Sequence, residues 1–374
     1  MLSPRPVSAT SSVYLDLFRA LAALAVFSSH VRQFFFVDYS HIQPQHLNVF
    51  VRIFYFLTRF GRQSVMIFFV LSGFLIGSSV LRKVHEKRFS WRDYSLDRAA
   101  RLYTVLLPGL LLGALWDTIG IHLFNATGIY SAELRPLGPN VPIYQRSFLD
   151  FVGNLFFLQT RLVPVFGSNS PLWSLFNEAW YYVLFPLLVL FLIRKRRIYY
   201  LLLAAACLFV LREQTLGFII WLFGCVVSLI KERRGPLTWL FISVCTLALA
   251  IALPFGNDLA IGISFAFLLY WTLQLDRPIN SVVSNCVKSC AAFSYSLYIL
   301  HFPALFLIRA AFTPREHWQP DARHLLYSAG ISAAVLLYCY LVSLVTEAKT
   351  PIVRAWMHAT YIAINKSCFR DARG

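Results

Sequence analysis

Apolar stretches separated by short polar or basic segments dominate the chain. About ten are long enough, or nearly so, to cross a membrane: roughly 13–36, 62–81, 101–123, 172–193, 198–211, 215–230, 237–253, 258–275, 290–311 and 325–346. A crossing helix needs about 20 mainly apolar residues, because each residue rises about 1.5 Å through a hydrocarbon core about 30 Å thick. The fifth and sixth stretches are short and are separated only by Arg212, Glu213 and Gln214, so they read as a helical hairpin. Residues 49–60 and 147–159 are aromatic-rich but too short to cross, which suits interfacial or re-entrant elements. The predicted fold is an all-α polytopic integral membrane protein of about ten transmembrane helices. It forms one transmembrane domain across residues 1–374, with its core at about 13–350 and a short C-terminal tail. The pattern shows no internal repeat and no appended soluble domain.

Composition agrees with a membrane solvent. The chain is 58% hydrophobic and 14% charged, against about 45–50% and about 25% in soluble domains. The net charge is +17, which in another setting would point to nucleic acid. Here the cations cluster between apolar stretches: Arg82 to Arg101 holds seven, and Arg194–Arg197, Lys231–Arg234 and the tail hold more. The long loop 124–170 holds few. The positive-inside rule then places both termini in the cytoplasm, in a plasma (inner) membrane, with no nucleic-acid partner. The loop at 309–324, with Arg309, Arg315 and Arg323, runs against that rule. Seven cysteines include no Cys-x-x-Cys pair, so neither a metal site nor a disulfide framework is read. The first apolar run is interrupted by Arg19 and has no obvious cleavage site, which reads as a retained helix.

That first run holds Asp16, Arg19 and His30. An unpartnered ionisable group inside a membrane helix costs roughly 2.5–3.5 kcal/mol on insertion scales, so each marks a candidate site. Arg19 and His30 are eleven residues apart, about 1100° or three turns plus roughly 20°. They share one helix face, about 16 Å apart along the axis, with Asp16 within about 40° of it. The stripe lines something polar, or it is a seam between helices.

Four more groups carry chemistry. Glu178, in Trp173-Ser-Leu-Phe-Asn-Glu178, falls within two turns of the start of the fourth span. Measured from the loop before it, this is near the depth of His30, where a carboxylate would orient an imidazole. Arg98 and Arg101, at i and i+3 before the third span, suit bidentate phosphate binding or plain positive-inside charge. Ser294, Tyr298 and His301 lie on one side of the ninth span, with Pro303 loosening the helix after them. Ser72 and Gly73 read as small residues for close helix packing, since Ser72 sits in no nucleophile elbow. Asn125-Ala-Thr127 has the form of a glycosylation sequon.

In order along the chain, these residues resemble the acyltransferase 3 family of membrane acyltransferases. Arg19 and His30 match its Arg/Lys-x10-His signature. Phe68-Phe-Val-Leu-Ser-Gly-Phe74, Arg98-x-x-Arg101, Trp173-Ser-Leu-x-x-Glu178 and Ser294-Tyr-Ser-Leu-Tyr298 with His301 match the motifs that follow. The likeness spans about 13–350. It departs after Glu178, where Ala179-Trp180-Tyr181 follow, and at Glu347-Ala-Lys-Thr-Pro351, a loose form of the closing Glu-x-Pro. No fused SGNH-type hydrolase domain is read.

The resemblance implies transfer of an acyl group, usually acetyl, from cytoplasmic acyl-coenzyme A to a carbohydrate hydroxyl. The acceptor would be a polysaccharide or a lipid-linked oligosaccharide. Acetyl-coenzyme A is then a donor substrate, with no permanently bound cofactor. Its nucleotide is expected on Arg98 and Arg101, with Ser294, Tyr298 and His301 as further donor contacts. His30 is expected as general base, with Glu178 or Asp16 orienting it, and Arg19 on the donor or the developing oxyanion. A succinyl or other donor stays open, and so does a glycan transporter or flippase that uses the same intramembrane Arg, His and Glu.

Overall fold

The computed structural model describes residue 4 and residues 7–124, 128–130, 146–193, 197–232, 235–275, 279–312 and 316–371, with side chains to 364. The sequon, Gly138, Pro139, Pro142, Arg194 to Arg196, Arg233, Arg234 and Arg315 lie outside the described residues, as do the tail side chains beyond 364.

The helices run α1 (Ala9–Phe35), α2 (Val49–Leu57), α3 (Gly61–His85), α4 (Trp91–Phe124) and α5 (Phe148–Leu155). Then come α6 (Leu172–Ile193), α7 (Ile198–Leu211), α8 (Thr215–Leu229), α9 (Thr238–Phe255) and α10 (Asp258–Thr272). The last four are α11 (Ser281–Ala292), α12 (Ser294–Phe312), α13 (Ala322–Val345) and α14 (Thr350–Asp371). Among the described residues the only β pairing is two isolated bridges, Phe36 with Trp318 and Gln159 with Val163. The fold is all-α.

Eight helical stretches are long and apolar enough to cross a membrane, against the ten apolar runs expected. Two features account for the difference. Residues 198–229 count as one stretch although a 3-10 turn at Arg212–Gln214 interrupts it. The apolar helix α10 has 15 residues, about 22 Å of rise, short of the thickness to be crossed.

The two halves of that interrupted stretch go to different neighbours: α7 packs on α6, whereas α8 packs on α3 and α10. The contact between α3 and α8 is the tightest in the bundle and depends on missing side chains. A Cβ on Gly73 would sit 1.8 Å from the Trp221 carbonyl oxygen, and one on Gly224 would sit 1.9 Å from that of Val70. Small residues bring helix backbones together where lipid supplies no hydrophobic drive. Gly73 meets Trp221 and Gly77 meets Cys225 in the same order, so α3 and α8 run parallel.

Local caps explain where several helices start. Ser8, Asn48, Asn257 and Asp321 each accept a backbone N–H from the first turn, and Ser147 and Asp150 form a reciprocal capping box on α5. The short helices α2 and α5 expose Phe50 and Phe148 almost fully, as an interfacial element would.

Between α5 and α6 the chain folds into the bundle. Gln159 and Asn169 are buried, and the Gln159 amide donates to the Leu172 carbonyl at 2.9 Å. Asn169 Nδ2 donates to the Ile299 carbonyl at 2.9 Å. Pro303 has no N–H to offer that carbonyl, so the asparagine replaces the lost helix bond. This insertion makes α6 begin deep in the bundle rather than at its surface.

One end of the bundle, the basic end, gathers the start of α1 and the ends of α3, α10 and α13. Ser11 Oγ donates to the Leu273 carbonyl at 3.4 Å, and Lys83 pairs with Asp97 at 3.4 Å. At the opposite end the Val37 N–H bonds the Trp318 carbonyl at 3.1 Å, and Arg62 pairs with Asp258 at 3.0 Å.

Candidate active site

A cavity of about 760 Å³ runs inward from the basic end between α1, α3, α4, α6, α12 and the start of α14. Its lining holds five cations, Arg19, Arg98, Arg101, Lys288 and Arg354, and four carboxylates, Asp16, Asp97, Glu178 and Glu347. Helix spacing explains the grouping. Arg98 and Arg101 lie three apart on α4, and Ser294 and Tyr298 four apart on α12, so each pair shares a face.

Carboxylates hold two of these five cations. Arg19 Nη1 pairs with Asp16 at 3.4 Å, and its Nη2 donates to Ser294 Oγ at 3.4 Å. Arg101 pairs with Glu347 at 2.9 Å and covers the Tyr295 ring at 5.0 Å. Glu347 is buried, and its other oxygen accepts from the N–H and the hydroxyl of Ser296, both at 2.9 Å. Arg98 differs. It faces the rings of Tyr94 and Tyr182 at about 6 Å and has no ion-pair partner among the described residues. Its guanidinium is thus left for an anionic guest, as is that of Arg354, which has no ion-pair partner among the described residues either.

Glu178 is not beside His30, contrary to the sequence expectation. It accepts a hydrogen bond from Ser72 Oγ at 2.9 Å and another from the Tyr182 hydroxyl. Ser72 in turn accepts from Trp221 Nε1 at 3.1 Å. Gly61, at the start of α3, packs on Ser29, next to His30. Ser72 lies eleven residues further along α3, about 16 Å away. The buried segment before α6 sets α6, and Glu178 with it, at that depth. Asp16 likewise does not reach His30, being held by Arg19 one turn away.

The partner of His30 is His301. Nδ1 of His30 lies 2.8 Å from Nε2 of His301, with the rings 15° from coplanar. Together with the Arg19–Ser294 contact this shows that α1 and α12 run parallel, their motifs in register. His301 is buried, and its Nδ1 lies 2.6 Å from the Leu297 carbonyl. Of the expected donor contacts, Ser294 and Tyr298 line the cavity and His301 does not. Tyr298 joins the two regions. Its ring forms the inner wall with Phe68, its hydroxyl is 2.6 Å from Ser174 Oγ, and its ring centroid is 6.4 Å from that of His301.

A cation-lined cavity thus leads from the basic end toward a pair of imidazoles, His30 half-buried and His301 buried, and comparison with known proteins supplies the family. The acyltransferase domain model of the acyltransferase 3 family matches residues 12–345. The chain belongs to the acyltransferase 3 family. Among curated relatives, Acyltransferase MdmB of Streptomyces mycarofaciens is 30% identical over 190 residues, 50% of this chain and 40% of that protein. An uncharacterized protein of Haemophilus influenzae is 25% identical over 131 residues, 35% of this chain and 50% of that protein. The chain thus spans half or less of the length of these relatives. No solved structure matches.

Several cavity residues were missed or misread from sequence. Ser72 was read as packing, yet its hydroxyl binds Glu178. Glu347 matched the closing family motif only loosely, yet it holds Arg101. Lys288 and Arg354 carried no motif. The usable signal was cost: Glu347 closes a long apolar run, and a carboxylate there needs a partner.

Proposed function

We propose that this acyltransferase moves an acyl group, acetyl in the first instance, from cytoplasmic acyl-coenzyme A to a carbohydrate hydroxyl on the far side of the membrane. The observation that carries this reading is the cation-lined cavity, which reaches the basic end and stops at Tyr298, next to the His30–His301 pair. The positive-inside rule makes the basic end cytoplasmic. Ten passes agree with both termini being there. In that count α7 and α8 are separate passes, which the packing of α7 along α6 and of α8 along α3 supports, and the short α10 crosses as well. On this reading α14 lies at the cytoplasmic face and the protein sits in the plasma (inner) membrane.

In this mechanism Arg98 binds the donor's phosphates bidentately, with Arg101 adding charge. The pantetheine arm passes Arg19 and Ser294 toward Tyr298. His30 takes the proton of the acceptor hydroxyl as its oxygen attacks the thioester carbonyl, and the carbon–sulfur bond then breaks. The proton returns to the thiolate, so coenzyme A leaves as the thiol. Extended coenzyme A is about 20 Å long, comparable with the roughly 16 Å between the levels of Arg19 and His30 plus the arginine's own reach. The acceptor is a polysaccharide or a lipid-linked oligosaccharide.

Mass spectrometry of surface glycans from cells with and without the gene tests the proposal. Acyl-bearing sugars are expected only with the wild-type gene and not with His30→Ala. Loss of glycan export in His30→Ala cells, with no acylated sugar in any strain, would replace the enzyme by a transporter.

A further inference from the structure

The hydrogen bonds around the two imidazoles specify where the protons are. The Leu297 carbonyl can only accept, so His301 Nδ1, 2.6 Å from it, carries a hydrogen. A neutral His301 then presents a lone pair at Nε2. His30 Nδ1, 2.8 Å from that lone pair and nearly in its plane, must supply the hydrogen of the second bond. The chain of bonds runs His30 Nδ1–H to His301 Nε2, and His301 Nδ1–H to Leu297 O. It leaves the lone pair of His30 on Nε2.

The surroundings hold this arrangement in place. The edge of Phe302 meets His30 with ring centroids 5.0 Å apart, and Phe27 meets His301 at 5.9 Å. Asn169 on the Ile299 carbonyl steadies the turn of α12 that carries His301, where Pro303 breaks the ladder. Neither Glu178 nor Asp16 reaches the pair.

We propose that His301 is a positioning residue. It selects the His30 tautomer whose Nε2 is the free base, and it accepts the hydrogen bond of the imidazolium that forms, the part played by an aspartate in Ser-His-Asp triads. This rests on the acyl-transfer reading above. It gives His301 a role other than donor binding. During transfer the acceptor's proton moves to His30 Nε2 as the new oxygen–carbon bond forms, while Nδ1–H stays on His301. The proton then passes to the departing sulfur, and both imidazoles end neutral.

The test uses the full chain in lipid nanodiscs, acetyl-coenzyme A as the donor probe, and a glycolipid extract of the producing cells as acceptor. His301→Leu removes the acceptor at Nε2, and His301→Gln restores one through its amide oxygen. Expected is a fall in kcat of about 100-fold or more in His301→Leu with KM for acetyl-coenzyme A within about twofold, and recovery to within about tenfold of wild type in His301→Gln. A residue needed only for packing would give equal losses in both variants, and that result overturns the proposal. So does a His301→Leu protein with wild-type kcat.

Nitrogen-15 spectra of histidine-labelled wild type, with His30 assigned by its loss in His30→Gln, give a readout independent of turnover and of how the variants fold. Nδ1–H on His30 supports the proposal, and Nε2–H overturns it. If wild type releases no coenzyme A with any acceptor while His30 carries Nδ1–H, the acyl-transfer reading fails and the tautomer assignment stands.

Discussion

Arg98→Ala should separate donor binding from stability in a way that Arg101→Ala cannot. Arg98 has no ion-pair partner among the described residues and rests against two tyrosine rings. Removing it strands no carboxylate. A charge-assisted bond to phosphate contributes about 1.5–3 kcal/mol, which is roughly 10- to 150-fold in affinity. The Kd of acetyl-coenzyme A for the nanodisc protein, by titration calorimetry, should rise by that factor in Arg98→Ala, with a smaller fall in thermal midpoint than Arg101→Ala gives, since only its contacts with the two rings are lost. Arg101→Ala leaves the buried Glu347 with only its Ser296 bonds. Breaking a buried pair from one side costs about 3–5 kcal/mol, so the midpoint should fall by many degrees. Ionisation and not size is then the cause, and Arg101→Ala with Glu347→Gln should recover part of the loss. An Arg98→Ala protein that binds acetyl-coenzyme A within about twofold of wild type would refute the phosphate assignment.

Two further outcomes follow from the packing. Gly73→Ala forces a methyl to within 1.8 Å of the Trp221 carbonyl, where neither backbone can yield easily; a loss of about 1–3 kcal/mol, read by thermal unfolding in detergent, is expected, and an unchanged midpoint would mean α3 and α8 lie further apart. Asn169→Leu removes the donor that replaces the helix bond lost at Pro303, so it should cost about 1–3 kcal/mol and also lower kcat by shifting His301; normal stability and kcat would deny that coupling.

Hydrophobic patterning alone determined that this is an all-α membrane protein, where most of its helices begin and end, and that Arg19 and His30 share a face. These properties belong to single helices, whose period and length are set by the backbone and whose burial is set by composition. The in-order motifs also determined the family. Depth and partnership were another matter. Counting from the preceding loop put Glu178 level with His30, yet a buried segment that reads as ordinary loop carries the start of α6 inward, and the carboxylate ends on Ser72. His301, seven residues along α12 from Ser294, gave no sign in its own helix that it would meet His30, because that contact needs two helices in parallel register. The charged residues of a membrane chain announce themselves by their cost. Which of them neutralise one another is decided only when the helices pack, since a few ångströms of axial shift exchange one partner for another.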